Sequence, residues 1–276
     1  MTGKVKQTQL QIGADTIAVY ESRGSGAAFL LIHGNSANAE TFTPQLAGDF
    51  GNRYRVVALD LPGHGRSSAA ADPETTYSLG GYAGVVIEVV RSLQLVRPVV
   101  VGWSLGGHIA LEAAEHLPDA AGFFIYGTPP FGIPLAIERA FLSNPNLPAA
   151  FSPTISEEQA SIVANALVRP GAEAPPLFRE AILNTDGRAR LLLGASLDAA
   201  NFRDEVQIVA NLRTPLAILH GAGEQLVNLD YLQSLTIPSL WRGAIQIIAE
   251  AGHAVQWEQP ERFNALLADF VADVGE

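Results

Sequence analysis

Gly102-Trp103-Ser104-Leu105-Gly106 carries the spacing G-x-S-x-G and divides an apolar run, "RPVVV", from a stretch of helical periodicity, "HIALEAAEHL". That context predicts a sharp strand-to-helix turn that lifts a serine hydroxyl above a sheet, with glycines where a Cβ would strike neighbouring backbone. The same serine could merely cap the helix; the preceding strand and the flanking glycines favour the turn. A serine hydroxyl is a weak nucleophile at neutral pH unless a base takes its proton and a carboxylate orients that base. Among the six histidines, His253 alone combines a place after a strand-like run, "AIQIIAEAG", with a place downstream of an acid. Glu224, just after "LAILHGAG", is the acid expected to orient it, and Asp230, six residues on, is the reserve.

Attack on an acyl carbonyl builds negative charge on its oxygen, and aimed backbone N–H groups accelerate such a step by a factor on the order of a hundred or more. The expected donors are Leu105, the residue after the serine, and Asn35, which follows His33-Gly34 at another strand end. Gly34 lets that loop approach, and Trp103 flanks the nucleophile, so both are expected on the substrate-binding side. The remaining histidines, His33, His64, His108, His116 and His220, read as structural. No H-x-H-x-D or H-E-x-x-H spacing occurs and the chain has no cysteine, so metal-activated water, thiolate chemistry and disulfides are not expected, and neither is a cofactor.

Such a site needs elements that bring distant residues to one edge of a sheet. "TQLQIGADTIAVYESRG" alternates on both sides of Gly13-Ala14-Asp15 and predicts a β-hairpin. Six later runs, "AAFLLIHG", "YRVVALDLPGHG", "RPVVVGWS", "AAGFFIYGT", "TPLAILHGAG" and "AIQIIAEAGH", are continuously apolar and each is stopped by Gly, Pro or His. Strands covered on both faces look like this. Helix-period segments lie between them, which gives the α/β class: a mostly parallel, doubly wound sheet with ligands at the carboxyl ends of its strands. From about residue 129 to 213 no strand is evident, and prolines punctuate short helical pieces, as expected of a helical cap inserted between two strands. One domain of residues 1–276 must hold all three site residues, with a core of 1–128 and 214–276.

Composition narrows the partners. Apolar residues make up 48% of the 276 and charged residues 16%, against a globular average of roughly 25%. A formal net charge of -11 opposes a phosphate backbone, so nucleic acid is not an expected partner. Neither a signal-peptide pattern nor a run of membrane-spanning length is present, and a cytoplasmic location is expected.

Taken together, "LIHGNSANAETFTPQL", "VVALDLPGHGRSS", "VVGWSLGGHIALE", "HGAGEQLV" and "AGHAVQWEQPERF" resemble the α/β-hydrolase superfamily over nearly the whole chain outside the cap. That resemblance implies an eight-stranded sheet, a cap, and Ser104, Glu224 and His253 as a catalytic triad. Within the superfamily "HGNS", "GWSLGGH", "GTPP" and "TDGRAR" resemble the serine-type N-acyl-homoserine lactone hydrolases that quench quorum sensing. This implies opening of the lactone ring with an apolar acyl chain held under the cap. One departure is that Val163 stands where those lactonases carry a substrate-facing cap tyrosine, which shifts lactone positioning to Asn35, Trp103 or water. Phe131, Ile133, Leu135, Phe141, Leu142, Phe151, Ile162, Leu177 and Phe178 are the cap's candidates for an acyl pocket, although most are expected simply to pack the cap on the core. The alternatives are a carboxylesterase or carbon–carbon bond hydrolase on another small acyl substrate, and a receptor that uses the pocket only to bind.

Overall fold

The computed structural model describes residues 5–197 and 202–275. The ends of the expected domain and residues 198–201 of the expected cap lie outside the described residues.

The opening hairpin pairs β1 (Lys6–Ile12) with β2 (Asp15–Glu21) through Gly13, whose φ of +59° supplies the turn. The six apolar runs become β3 (Ala28–Ile32), β4 (Arg55–Leu59), β5 (Val99–Trp103), β6 (Gly122–Tyr126), β7 (Leu216–Gly221) and β8 (Gln246–Ile248). All eight strands form one sheet in the order β1-β2-β4-β3-β5-β6-β7-β8, antiparallel at β1–β2–β4 and parallel from β4 onward.

The continuous apolar runs have a simple physical cause. Successive side chains leave a strand on opposite faces, and here both faces are covered. Val100, Phe123 and Ile125 join one buried layer with Leu79, Val86 and Ile109 of the helices Leu79–Ser92 and Leu105–Ala113. Val99, Val101, Phe124 and Tyr126 join the opposite layer with Leu46, Phe263, Leu267 and Phe270. A strand with two dry faces has no place for alternating polar residues.

β3 has β4 on one side and β5 on the other, so the loops leaving β3 and β5 diverge and open a crevice at their carboxyl ends. His33-Gly34-Asn35 and Gly102 to Gly106 lie there. Over them runs the segment between β6 and β7, with helices Ile137–Ala140, Glu157–Ala166, Pro176–Asn184, Gly187–Ser196 and Glu205–Asn211. Asp186 ties this segment to the core. Its N–H donates to the Gly63 carbonyl at 2.9 Å, and its carboxylate accepts from Tyr77 Oη at 2.8 Å and from the Arg188 N–H at 3.0 Å. Arg190, also buried, donates to the carbonyls of Ser152 and Ile182 at 2.7 and 3.0 Å and so joins three stretches of the cap. No helix among the described residues is long and apolar enough to cross a membrane.

Removing the Asp186 carboxylate leaves the Tyr77 hydroxyl and the Arg188 N–H without their acceptor. Asp186→Ala is therefore expected to cost about 1–3 kcal/mol in urea unfolding; an unchanged midpoint would show that the latch is not what fastens the cap.

Candidate active site

β5 ends at Trp103 and the following helix starts at Leu105, which leaves Ser104 to turn the chain. It does so at φ 54° and ψ -119°, a sparsely populated region for a residue with a Cβ. Hydrogen bonds hold it there: the Ser104 N–H donates to the Tyr126 carbonyl at 2.9 Å, and the Ser104 carbonyl accepts from Thr128 Oγ1 at 2.8 Å. The glycines serve close approach. A Cβ on Gly102 would fall on the Gly106 carbonyl, and one on Gly106 would fall on the Ile32 carbonyl.

His253 sits on the loop after β8, and each part of that loop is fastened. The Gly252 N–H donates to Glu258 Oε2 at 2.6 Å, the Ala254 N–H to the Leu167 carbonyl at 2.7 Å, and Trp103 Nε1 to the His253 carbonyl at 2.9 Å. His253 Nδ1 lies 2.8 Å from Glu224 Oε2, with the two side chains 1% and 2% exposed. Glu224 also accepts the Leu226 N–H at 2.8 Å. Burial pushes the Glu224 carboxyl up, but attraction and hydrogen bonding from His253 outweigh it, and the group is held below the usual carboxylate range. An ionised carboxylate only accepts, so a hydrogen is on His253 Nδ1, and in the neutral ring the lone pair is on Nε2. That Nε2 is buried without a hydrogen-bond partner among the described residues, and His253 borders the same cavity as Ser104. Asp230 lies instead in the helix Leu229–Ser234, its N–H bonded to Asn228 Oδ1 at 3.0 Å, and makes no bond to His253.

Leu105 and Asn35 both border the cavity beside Ser104. The Leu105 N–H is the first of its helix, so no carbonyl one turn earlier can take it. The loop that carries Asn35 is shaped by two imidazoles. His33 donates from Nδ1 to the Gly34 carbonyl at 2.8 Å and accepts the Leu61 N–H at 3.0 Å, while His64 donates to the Pro62 carbonyl at 3.0 Å and accepts the Ser36 N–H at 3.3 Å. Both work only as neutral rings, and burial pushes His33 down to about 4 and His64 to about 3. The Asn35 side chain reaches the cap, donating to the Ala150 carbonyl at 2.8 Å.

The cavity has a volume of about 630 Å³, and among the described residues no lysine or arginine lines it. Its walls are largely apolar, including Leu79, Phe131, Phe141, Phe151, Val163 and Leu193. Two expectations are corrected here. Trp103, 1% exposed, packs behind His253 and against Phe178 and does not line the cavity. Gly34 does not line it either; a Cβ there would come within 3.1 Å of the Ser104 Cβ, so its smallness serves packing. Of the cap residues expected along the pocket, Ile133, Leu142 and Ile162 are exposed, and Phe178 packs on Trp103 and Trp257. Sequence reasoning also missed Thr128, whose only signal is its place in "GTPP", and the buried contact of His108 with Glu205 at 2.8 Å.

Residues 29–266 match the alpha/beta hydrolase family, and the chain belongs to that family. Crystal structures of the N-acyl homoserine lactonase AidH superpose with a TM-score of 0.93 at 37% identity, covering 98% of this chain and 97% of theirs; one is complexed with N-butanoyl homoserine. The biotin biosynthesis bifunctional protein BioHC of Cellvibrio japonicus is 29% identical over 87% of this chain, which spans 47% of that longer protein. A 2-hydroxy-6-oxononadienedioate/2-hydroxy-6-oxononatrienedioate hydrolase of Burkholderia vietnamiensis is 24% identical over 94% of this chain and 92% of its own length.

The two depressed imidazoles link stability to pH. The unfolded chain protonates them near 6.5 whereas the folded one resists to about 4 and 3, so their contribution is complete above pH 6.5 and falls as pH drops through that interval. Urea midpoints measured at pH 7, 5.5 and 4.5 are expected to decline steadily; a flat profile over that range would contradict neutral, buried His33 and His64.

Proposed function

We propose that this chain is a serine hydrolase that opens the ring of N-acyl homoserine lactones. The observation that carries the reading is the arrangement of Ser104 and His253 at the wall of an apolar cavity of about 630 Å³, with Glu224 behind His253 and neither lysine nor arginine among the described lining residues. Ser104 Oγ attacks the lactone carbonyl while His253 Nε2 takes its proton. The Leu105 and Asn35 N–H groups hold the oxyanion, and the imidazolium, steadied by Glu224, returns the proton to the ring oxygen as the C–O bond breaks. The leaving hydroxyl stays tethered to the acyl group, so water activated by His253 must hydrolyse the ester on Ser104 before that hydroxyl can close the ring again.

Likeness to AidH supports the substrate class because it extends through the cap, where pockets of this fold diverge. An AidH variant with glycine in place of a serine was crystallised with N-hexanoyl homoserine lactone, whereas AidH itself was crystallised with the ring-opened N-butanoyl homoserine. The second reading, a carboxylesterase or carbon–carbon bond hydrolase, draws on the other relatives. A dicarboxylate such as the nonadienedioate in one of their names would call for a fixed cation in the pocket, and neither lysine nor arginine is among the described residues that line this cavity.

Incubation with acyl-homoserine lactones of several chain lengths beside simple aryl esters, followed by mass spectrometry, tests the choice. Ring-opened product is expected over many equivalents; efficient ester turnover with lactones left intact would reject the lactonase reading, and binding without turnover would favour a receptor. Ser104→Ala is expected to lower turnover at least about a thousandfold and to abolish labelling by a serine-directed phosphonate, and continued stoichiometric labelling would reject Ser104 as nucleophile.

A further inference from the structure

A second histidine–carboxylate pair stands beside the same cavity, and the steps above do not use it. His108 follows Ser104 by four residues on the helix Leu105–Ala113, about one helical turn away, and its side chain forms part of the cavity wall. Its Nδ1 lies 2.8 and 3.0 Å from the two carboxylate oxygens of Glu205, and its ring stacks on Phe131 with centroids 4.1 Å apart and planes inclined at 23°. Glu205 is fully enclosed at 0% exposure, and one of its oxygens also accepts the Phe131 N–H at 2.7 Å. Three contacts therefore fix this ring: one backbone-anchored carboxylate, one stacked aromatic, and the helix itself.

A carboxylate acceptor at Nδ1 holds a hydrogen there, and in the neutral ring Nε2 carries the lone pair. No described residue donates to that Nε2, and the His108 side chain forms part of the cavity wall. Two other polar side-chain groups on the wall are already engaged. Asn35 bonds to Ala150 and Ser36 through its amide nitrogen and oxygen, and the Asn144 side-chain oxygen accepts the Asn146 N–H. An imidazole acceptor in an apolar wall, one turn from the nucleophile, fits a hydrogen-bond donor attached close to the reacting carbonyl.

We propose that His108 Nε2 accepts the N–H of an acylamino group on the carbon next to the reacting carbonyl, so that this site selects α-acylamino esters and lactones over acyl substrates of equal length that lack the N–H. Glu205 is a positioning residue that fixes the tautomer and plane of the ring. An N-acyl homoserine lactone carries this acylamino group, and the inference rests on Ser104 being the nucleophile of the proposed hydrolase; it does not require the lactone ring.

The test compares methyl N-hexanoylglycinate with methyl nonanoate, esters of equal chain length of which only the first carries the N–H. Rates are expressed per serine titrated with a phosphonate, so unfolded protein does not enter. The parent enzyme is expected to prefer the amido ester in kcat/KM. His108→Phe should reduce that preference on the order of tenfold, the scale of one hydrogen bond, mainly through KM. Glu205→Gln, whose amide oxygen still accepts from Nδ1, should keep the preference within about threefold, again on the hydrogen-bond scale. An absent preference in the parent, an unchanged one in His108→Phe, or a lost one in Glu205→Gln overturns the inference. Turnover of both esters with acyl-homoserine lactones left intact would reject the lactonase reading alone and leave the comparison valid, whereas a parent inert to both esters and to the phosphonate removes the hydrolase reading and this inference with it.

Discussion

Ser104 is held in a backbone conformation that costs roughly 1–3 kcal/mol for a residue with a side chain, and the surrounding structure is arranged around keeping it there. The sharp turn ends a strand buried on both faces and starts a helix with no residue to spare. Gly102 and Gly106 are the places where backbone from neighbouring segments comes too near for a Cβ. Bonds from Tyr126 and Thr128 at the end of the adjacent strand secure the strained peptide on both sides. The sheet order matters for the same reason: β3 and β6 flank β5, so the loop with Asn35 and the segment with Thr128 both reach the turn.

Fixing the hydroxyl leaves the base to be aimed, and here the cost is electrostatic. The Glu224 carboxylate is taken almost wholly out of water, which by itself disfavours ionisation. Its compensation comes from His253 and the Leu226 N–H, so the two side chains hold each other in place. The loop that bears His253 takes a bond from Trp103, the residue before Ser104. Serine and histidine are thus referenced to one another through backbone and indole, and a displacement of either is resisted by the packed layer behind them.

Much of this was legible in the chain itself, and what was not has physical reasons. Strands β3 to β8 and the turn at Ser104 depend on local patterns, apolar runs and glycines at fixed offsets, and both appear where expected. Adjacency misled in the case of Trp103. Neighbours along a strand point to opposite faces, so the residue beside the nucleophile falls into the dry layer with Val99 and Val101, away from the ligand side. Gly34 is placed on the substrate side for a similar reason, whereas a Cβ there would come within 3.1 Å of the Ser104 Cβ. The His108–Glu205 contact joins residues 97 positions apart across the boundary of core and cap, and no periodicity in the sequence can announce such a pairing. Its only trace is a histidine inside a buried helix, which reads equally well as structural.

The central claim is that Ser104 carries the opened substrate as an ester. The most direct measurement is acid quenching during turnover of an N-acyl homoserine lactone, digestion, and mass analysis of the peptide that contains Ser104. Ring opening on this serine is expected to add the full mass of the lactone, because the leaving hydroxyl remains part of the adduct. An adduct of the acyl chain alone, or one on any other residue, would contradict it.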